Sequence, residues 1–372
     1  MTSPEDAGDS VALPSRIGIV GTGLIGTSVA LAASGAGIEV RGFDADPSVL
    51  ARAAALSPLE PARSLEAATG EIVFVCTPLE FVPGAARAAL AAEAAVVSDV
   101  GSVKGSVVGE VGRVAPGGAR RFVGGHPMAG SERSGPEAAA ATLLDGATWV
   151  LTPTEGTDPG AVATVRGLVE ALGARPVVMK PDEHDWAVAL VSHLPQVVSS
   201  ALMAFAAREH AAGPDSDVLG LAAGGFRDLT RLAESSPELW TGILVENATA
   251  VGAEIGRFAA LLQDVRDAIE AHDAVALTAL LDEARGGRAL LSTKPNVRSG
   301  VVVLQVPIPD RPGALARLTS AMAGREVNIE DLQIVHAADG GRGNAHVTVA
   351  SDQGDDAMGL LRGAGFAPVR LT

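Results

Sequence analysis

Cysteine is nearly absent. The only one, Cys76, leaves no disulfide framework and no metal site built on thiolates. Lysine is scarce too: Lys104, Lys180 and Lys294 are the only ones. Arginine and alanine are plentiful, a pattern of genome composition and not of function. Positive charge is outweighed, with 28 Lys and Arg against 44 Asp and Glu for a formal charge of −16. That argues against nucleic acid or an anionic membrane as partner, since either favours a basic patch. His184, His210, His272, His336 and His346 show no metal-ligand spacing, so no metal is expected and these read as surface or core residues. No apolar run approaches a membrane span, and the polar, acidic segment 2–14 does not read as a signal peptide. A soluble, cytoplasmic protein is expected. A chain of 372 residues should hold two or three domains.

What is present is most informative at Arg16-Ile-Gly-Ile-Val-Gly-Thr-Gly-Leu-Ile-Gly26. A short apolar run leads into Gly21-x-Gly23-x-x-Gly26, and a helical pattern follows. Gly21 would permit the tight strand-to-helix turn, Gly23 the approach of a pyrophosphate, and Gly26 close packing of helix on sheet. The amides of Leu24 and Ile25 open the helix, where free N–H groups and the dipole favour an anion. A βα turn with no ligand is the plain alternative. A second strand ending at Asp44 favours the dinucleotide, because an acid there accepts from a ribose 2′-OH and repels a 2′-phosphate. The expected cofactor is NAD.

Strands and helices alternate beyond this point. Arg16–Val20, Glu39–Phe43, Ile72–Thr77, Ala95–Val100, Arg121–Gly124, Thr148–Thr152 and Pro176–Val178 read as short strands between Ala-rich helices. That is the signature of a doubly wound α/β sheet of the Rossmann type. After a flexible tail, 1–14, this domain should cover 15–181. From 182 to 291 long Ala/Leu/Val segments with helical spacing replace the strands, starting at the acidic helix opening Asp182-Glu-His-Asp185. Their apolar excess predicts an all-α domain that dimerises, or else an unusually apolar core helix. A linker, 292–299, precedes a unit at 300–372 with the order βαββαβ, a ferredoxin-like module.

Four segments carry candidate chemistry. Cys76-Thr77-Pro78 ends a strand where the backbone either lines the cofactor or simply turns. Ser102, in Ser98-Asp-Val-Gly-Ser-Val-Lys104, offers a hydroxyl at the cofactor edge, or caps the next helix. His126, in Gly-Gly-His126-Pro-Met-Ala-Gly-Ser-Glu132, sits at a strand end, where packing gives little reason for an imidazole. It reads as a general base, with a buried structural histidine as the alternative. Arg231, in Gly224-Gly-Phe-Arg-Asp-Leu-Thr-Arg231, is placed to grip a carboxylate bidentately, with Asp228 one turn earlier to orient it. A surface ion pair is the plainer reading.

Taken together these motifs resemble the prephenate dehydrogenase (TyrA) family of tyrosine biosynthesis. The Gly21 fingerprint, the Asp-x-Gly-Ser-x-Lys104 segment, Gly-His126-Pro-Met-Ala-Gly-Ser-Glu132, Ser192-His-Leu-Pro195 and Gly-Gly-Phe-Arg-Asp-Leu-Thr-Arg231 occur in the family's order. The match runs from about Arg16 to Leu291. Asp310-Arg-Pro-Gly313 with Val327-Asn-Ile-Glu330 looks like an ACT domain, a module that often binds amino acids. The resemblance implies NAD-dependent oxidative decarboxylation of prephenate to 4-hydroxyphenylpyruvate, or of its amino counterpart arogenate to tyrosine. His126 would take the 4-hydroxyl proton, and Ser102 would bond the hydroxyl and the nicotinamide region. Arg231, oriented by Asp228, would hold a substrate carboxylate. Glu132 would influence access, and Ser192, Gly224, Ser235 and Trp240 would shape the pocket, some from a partner subunit. Many prephenate enzymes carry histidine where this chain has Gln196, which leaves the oxo-versus-amino preference open. In the module, Asp310, Gly313, Asn328 and Ile329 are the expected contacts of an aromatic amino-acid effector. A module that only pairs with its twin is the alternative.

Two other functions compete. A β-hydroxyacid dehydrogenase would need a catalytic lysine in the helical domain, and the chain has none between Lys180 and Lys294. A non-catalytic amino-acid sensor would not need Gly21, Asp44, Ser102, His126 and Arg231 together.

Overall fold

The computed structural model describes residues 13–92, 94–130, 133–212, 218–290, 300–309, 311–323, 327–336 and 342–371. The chain divides into two compact units, Met1–Ala201 with Leu232–Phe258, and Leu202–Arg231 with Ala259–Thr372.

The first unit is built on eight strands: β1 (Arg16–Val20), β2 (Glu39–Phe43), β3 (Glu60–Pro61), β4 (Ile72–Val75), β5 (Val96–Asp99), β6 (Phe122–Pro127), β7 (Thr148–Thr152) and β8 (Arg175–Val178). Their order in the sheet is β3-β2-β1-β4-β5-β6-β7-β8. Every pairing is parallel except β6 with β7. Successive residues point to opposite faces. Ile17, Ile19, Ile72 and Phe74 enter one core with Trp149 and Leu151, while Val20, Val73, Val75 and Val97 enter the other. With both faces covered, β4 is buried throughout, as its unbroken Ile-Val-Phe-Val run requires. The covering helices are α1 (Leu24–Gly35), α2 (Pro47–Leu56), α3 (Val82–Ala91), α4 (Gly105–Val114) and α5 (Pro159–Ala171). Small buried residues on α1 and α3, such as Ala30, Ala33 and Ala86, let their backbones approach the sheet closely.

Strand order reverses between β1 and β4, since the chain leaves β1 for β2 on one side and reaches β4 on the other. A crevice at such a switch point, beyond the strands' carboxyl ends, is where open α/β sheets bind ligands. Some details differ from the sequence reading, and β4 stops at Val75, short of the expected Thr77. The short edge strand β3 was not expected. Strand β6 was expected to stop at Gly124 but runs on to Pro127, because antiparallel β7 supplies partners as far as His126↔Val150 and Pro127↔Trp149.

The same unit holds α6 (Pro181–Val188), a π-helical turn over Ala189–His193, the start of α7 (Leu194–Ala212), α9 (Pro237–Glu246) and the first part of α10 (Ala248–Glu270). The helical run Pro181–Ala211 is long and apolar enough to cross a membrane by length and composition, with a mean hydropathy of 1.5 over its best window. That corrects the expectation that no run approaches a span. Buried polar contacts from His184, Asp185, His193 and Gln196 tie the run into a protein core.

The second unit contains α8 (Gly224–Thr230), α11 (Ala274–Leu290) and a C-terminal α/β element. The latter comprises β9 (Val301–Pro309), α12 (Ala314–Met322), β10 (Asp331–His336), β11 (Arg342–Ala350), α13 (Gly354–Gly363) and β12 (Val369–Arg370). Its sheet is antiparallel, in the order β10-β11-β9-β12. This is the βαββαβ arrangement read from the sequence. Its core is formed by Val302, Leu304, Val306, Leu318, Val347 and Leu361.

Candidate active site

The turn from β1 into α1 closes only because of its glycines. Gly21 has φ 95, and a Cβ there would lie 2.6 Å from the Cys76 carbonyl oxygen. A Cβ on Gly26 would come within 2.0 Å of the Gly21 oxygen. Gly23 differs, since nothing lies within 4 Å of a Cβ placed there. The first helical bond runs from Thr27 N to Gly23 O at 3.0 Å. The amides of Leu24, Ile25 and Gly26 therefore precede the helix ladder and form a cradle for an anion. Asp44 is fixed beside this turn. Its Oδ2 accepts from the amide and hydroxyl of Thr22 at 2.7 and 3.1 Å, and its Oδ1 from the Asp46 amide at 3.0 Å. Across the switch point Thr77 follows β4, and its buried Oγ1 has no hydrogen-bond partner. Pro78 is exposed and precedes a short helical turn. An open cradle, a fixed acid and an orphan hydroxyl at one switch point fit a dinucleotide.

Ser102 lies half-buried in the loop between β5 and α4. The helix-cap alternative for this residue does not hold, because α4 begins at Gly105 with Lys104 in the cap position. The cap comes from elsewhere. Asp185 on α6 accepts the Lys104 amide on Oδ1 and the Gly105 amide on Oδ2, each at 2.7 Å.

Between this loop and β6 lies a fully buried ion pair, Lys104 with Asp99. The Lys104 ammonium also donates to the Gly125 carbonyl at 2.8 Å. Asp99 accepts from Gly125 N at 3.0 Å and from Gly101 N at 2.9 Å. Burial draws the Lys104 ammonium below its ordinary value, against the pull of Asp99. These bonds clamp β6 one residue ahead of His126. Only glycine fits at 125, where a Cβ would lie 2.5 Å from the Asp99 carbonyl oxygen.

The His126 ring meets a second histidine, with His126 Nδ1 2.8 Å from His184 Nε2. His184 Nδ1 lies 2.8 Å from Asp185 Oδ1. Burial holds the His126 imidazole well below its usual range, and His184, Lys104 and His193 add to the effect. That shift favours the neutral ring at neutral pH. His193, in the π-helical turn, is pushed down to about 4, chiefly by burial. Asn247 Nδ2 bonds the Asp185 carbonyl at 2.8 Å and lies 3.2 Å from His193 Nδ1. The Trp240 ring meets His193 edge-on at 5.9 Å. Ser192 is half-buried in the same π turn, a helix form common at functional sites. Gln196 is buried, and its Nε2 donates to Leu232 O at 2.8 Å and to Ser200 Oγ at 3.3 Å. Its Oε1 accepts from Ser235 Oγ at 3.5 Å. The structure thus brings together His126, the Ser192–Gln196 turn, Ser235 and Trp240 in one unit. Arg231, Asp228 and Gly224 belong to the second unit, where they are exposed.

Glu132 and Asp310 lie outside the described residues. Gly313 adopts φ 84 at the start of α12. Asn328 precedes β10, with its amide 3.2 Å from Gln353 Oε1, and Ile329 packs on the module's core. Sequence reasoning missed His184, Asp185 and Asn247. The acidic opening of α6 was read as a helix start only. A histidine set directly before an aspartate in that turn was the available signal.

A family model described as "Prephenate dehydrogenase, nucleotide-binding domain" matches residues 27–178. A second, "Prephenate dehydrogenase, dimerization domain", matches 180–283. The prephenate dehydrogenase of Bacillus subtilis is 32% identical over 350 residues, which cover 90% of this chain and 92% of that protein. The crystal structure of Aquifex aeolicus prephenate dehydrogenase in complex with hydroxyphenyl propionate and NAD+ is 31% identical, with a TM-score of 0.70, over 76% of this chain and 100% of that one. The Synechocystis arogenate dehydrogenase structure is 33% identical, with a TM-score of 0.65, over 73% of this chain and 98% of that one.

Proposed function

The chain belongs to the prephenate dehydrogenase family and is an NAD-dependent dehydrogenase; from that premise we propose that His126 is the base for oxidation of the prephenate ring hydroxyl. The observation that carries this reading is the half-buried His126 imidazole, set where β6 ends with its Nδ1 2.8 Å from a second histidine. NAD+ supplies the hydride acceptor. The cradle of Gly21, Gly23, Leu24, Ile25 and Gly26 holds its pyrophosphate and Asp44 its ribose, while Thr77 and Pro78 line the crevice. Ser102 bonds the substrate hydroxyl and the nicotinamide region, and His126 takes the hydroxyl proton. Arg231, oriented by Asp228, holds a substrate carboxylate, because a dianion in an acidic chain needs a local cation. Glu132 influences access, and Ser192, Gln196, Gly224, Ser235 and Trp240 shape the pocket. The test is NADH absorbance on adding prephenate, arogenate or a 3-hydroxy acid. Turnover confined to the 3-hydroxy acid overturns the reading.

Arogenate is the second substrate reading, and Gln196 favours keeping it. Its amide is neutral and already bound to Leu232 and Ser235, so it presents no charge that selects an oxo over an amino side chain.

The domains follow the proposed roles: tail 1–14, NAD-binding 15–181, helical 182–291, linker 292–299 and regulatory module 300–372. The helical domain forms a homodimer, supported by the matching family model and by exposed Leu261, Leu262, Ile269 and Leu281 on α10 and α11. A monomer by sedimentation at micromolar concentration would contradict this. The C-terminal module is an ACT domain that senses an aromatic amino acid, tyrosine first. Support comes from its βαββαβ order and a cavity of about 390 Å³ whose lining includes Arg311, Gly313, Arg317 and Phe366. Full-length enzyme indifferent to tyrosine, phenylalanine and tryptophan would leave the module a purely structural role.

A further inference from the structure

We propose that His184 and Asp185 are positioning residues for His126, forming a relay that sets the tautomer of the base and stabilises its protonated form. The proposal rests on the reading of His126 as the base.

An ionised carboxylate only accepts hydrogen bonds. Asp185 is oriented by the first turn of α4, with Oδ1 on the Lys104 amide and Oδ2 on the Gly105 amide. The Asn247 side chain bonds the Asp185 carbonyl and holds the same turn of α6. His184 Nδ1, 2.8 Å from Asp185 Oδ1, must therefore carry a hydrogen and donate it. A neutral imidazole protonated on Nδ1 has its lone pair on Nε2. That lone pair lies 2.8 Å from His126 Nδ1, so His126 Nδ1 is the donor of this bond. The lone pair of His126 is left on Nε2, as a base requires. The rings cross edge-on, with planes 76° apart and centroids at 5.1 Å. This keeps the two nitrogens, not the ring faces, in contact.

When His126 Nε2 takes the hydroxyl proton, the positive charge forms in a place that resists it. Burial, Lys104, His193 and His184 all disfavour the charged ring. Asp99 is committed to Lys104. Asp185 is the anion reached from His126, through one imidazole. The Nδ1–H of the imidazolium donates to His184, whose own Nδ1–H donates to Asp185, so each bond strengthens as charge forms. The logic matches that of a catalytic triad, in which a carboxylate holds the histidine tautomer and stabilises its imidazolium. Here a second histidine extends the reach of the carboxylate.

Two substitutions at 184 separate this role from packing. His184→Gln places an amide oxygen near the old Nε2 position, where it can accept from His126 Nδ1. His184→Asn keeps a donor near Asp185 but offers nothing to His126. Asp185→Asn is less informative, because it also removes the cap of α4. We expect His184→Asn to lower kcat by at least about tenfold, short of the 10²–10⁴ that a general base supplies. KM for prephenate and for NAD+ should each change by less than about threefold, since no binding contact is removed. His184→Gln should recover most of the lost kcat. In the parent, ¹⁵N shifts of the His126 ring should report hydrogen on Nδ1. The proposal is overturned if both variants, folded by circular dichroism, retain full kcat or lose it equally. A ring protonated on Nε2 in the parent also overturns it. His126→Asn is assayed alongside. If it abolishes turnover while His184→Asn does not slow it, the relay fails and the base stands. If His126→Asn is itself harmless, the reading of the base fails first.

Discussion

Replacing Lys104 by methionine tests the buried ion pair that holds the strand carrying His126. Methionine keeps the length of the lysine stem but removes its charge and donors. Asp99 would then sit fully buried, with only Gly101 N and Gly125 N to satisfy its carboxylate. At a contact distance of about 3 Å and an effective dielectric of about 20, the lost attraction is roughly 5 kcal/mol. Measured losses on breaking one side of a buried pair are about 3–5 kcal/mol. At about 2–4 °C per kcal/mol for a unit of 150–250 residues, Tm should fall by roughly 6–20 °C. Adding Asp99→Asn removes the stranded charge but leaves a single amide oxygen for two glycine amides, a residual cost of about 1–3 kcal/mol. The double variant should therefore lose clearly less than the sum of the singles. The Gly125 carbonyl also loses its donor, so the strand carrying His126 loosens and kcat falls with stability. Chemical denaturation of the parent, both single variants and the double variant measures the coupling. A Lys104→Met loss below about 1 kcal/mol, or strict additivity with Asp99→Asn, would refute a charged, mutually dependent pair.

Asp44 should make NAD+ strongly preferred, since a 2′-phosphate beside its fixed carboxylate adds repulsion to a lost hydrogen bond. Comparable kcat/KM with NADP+ would contradict the assignment. Arg231→Ala should weaken substrate binding by about 2–5 kcal/mol and leave NAD+ affinity nearly unchanged. Equal weakening of both ligands would instead indicate a folding defect. Stability should depend on pH through His126 and His193, whose folded-state values lie below those of the unfolded chain. Between roughly pH 6.5 and the value of about 4 for His193, the unfolded chain binds more protons, so stability falls as pH falls through that window. Denaturation midpoints that hold constant from pH 7.5 to 5 would show that the fold does not hold these rings neutral.

Much of the fold was legible because its signals are local. The Ile17–Val20 run, the Gly21 turn and the acid at Asp44 lie close in sequence, and the chemistry of each dictates the local backbone. The βαββαβ order at the C-terminus reads from strand lengths and from Gly313 in the same way. The end of β6 was misplaced because it depends on a partner, β7, that extends pairing through His126. His184 and Asp185 were not legible, since their meaning comes from contacts with His126 and with the Lys104 and Gly105 amides across the unit. The adjacent histidine and aspartate were the one local signal, and adjacency does not show which groups they meet in the fold. Gln196 was flagged as a departure at a substrate position. Its bonds to Leu232 and Ser235 became visible only in the folded chain.

The most direct test of the account is His126→Asn in the full-length enzyme, with prephenate and NAD+ followed by NADH absorbance. Asparagine keeps a similar shape but cannot take the proton. kcat should fall by roughly 10²–10⁴ while KM moves little. A variant that retains most of its kcat would contradict the central claim that this imidazole is the base.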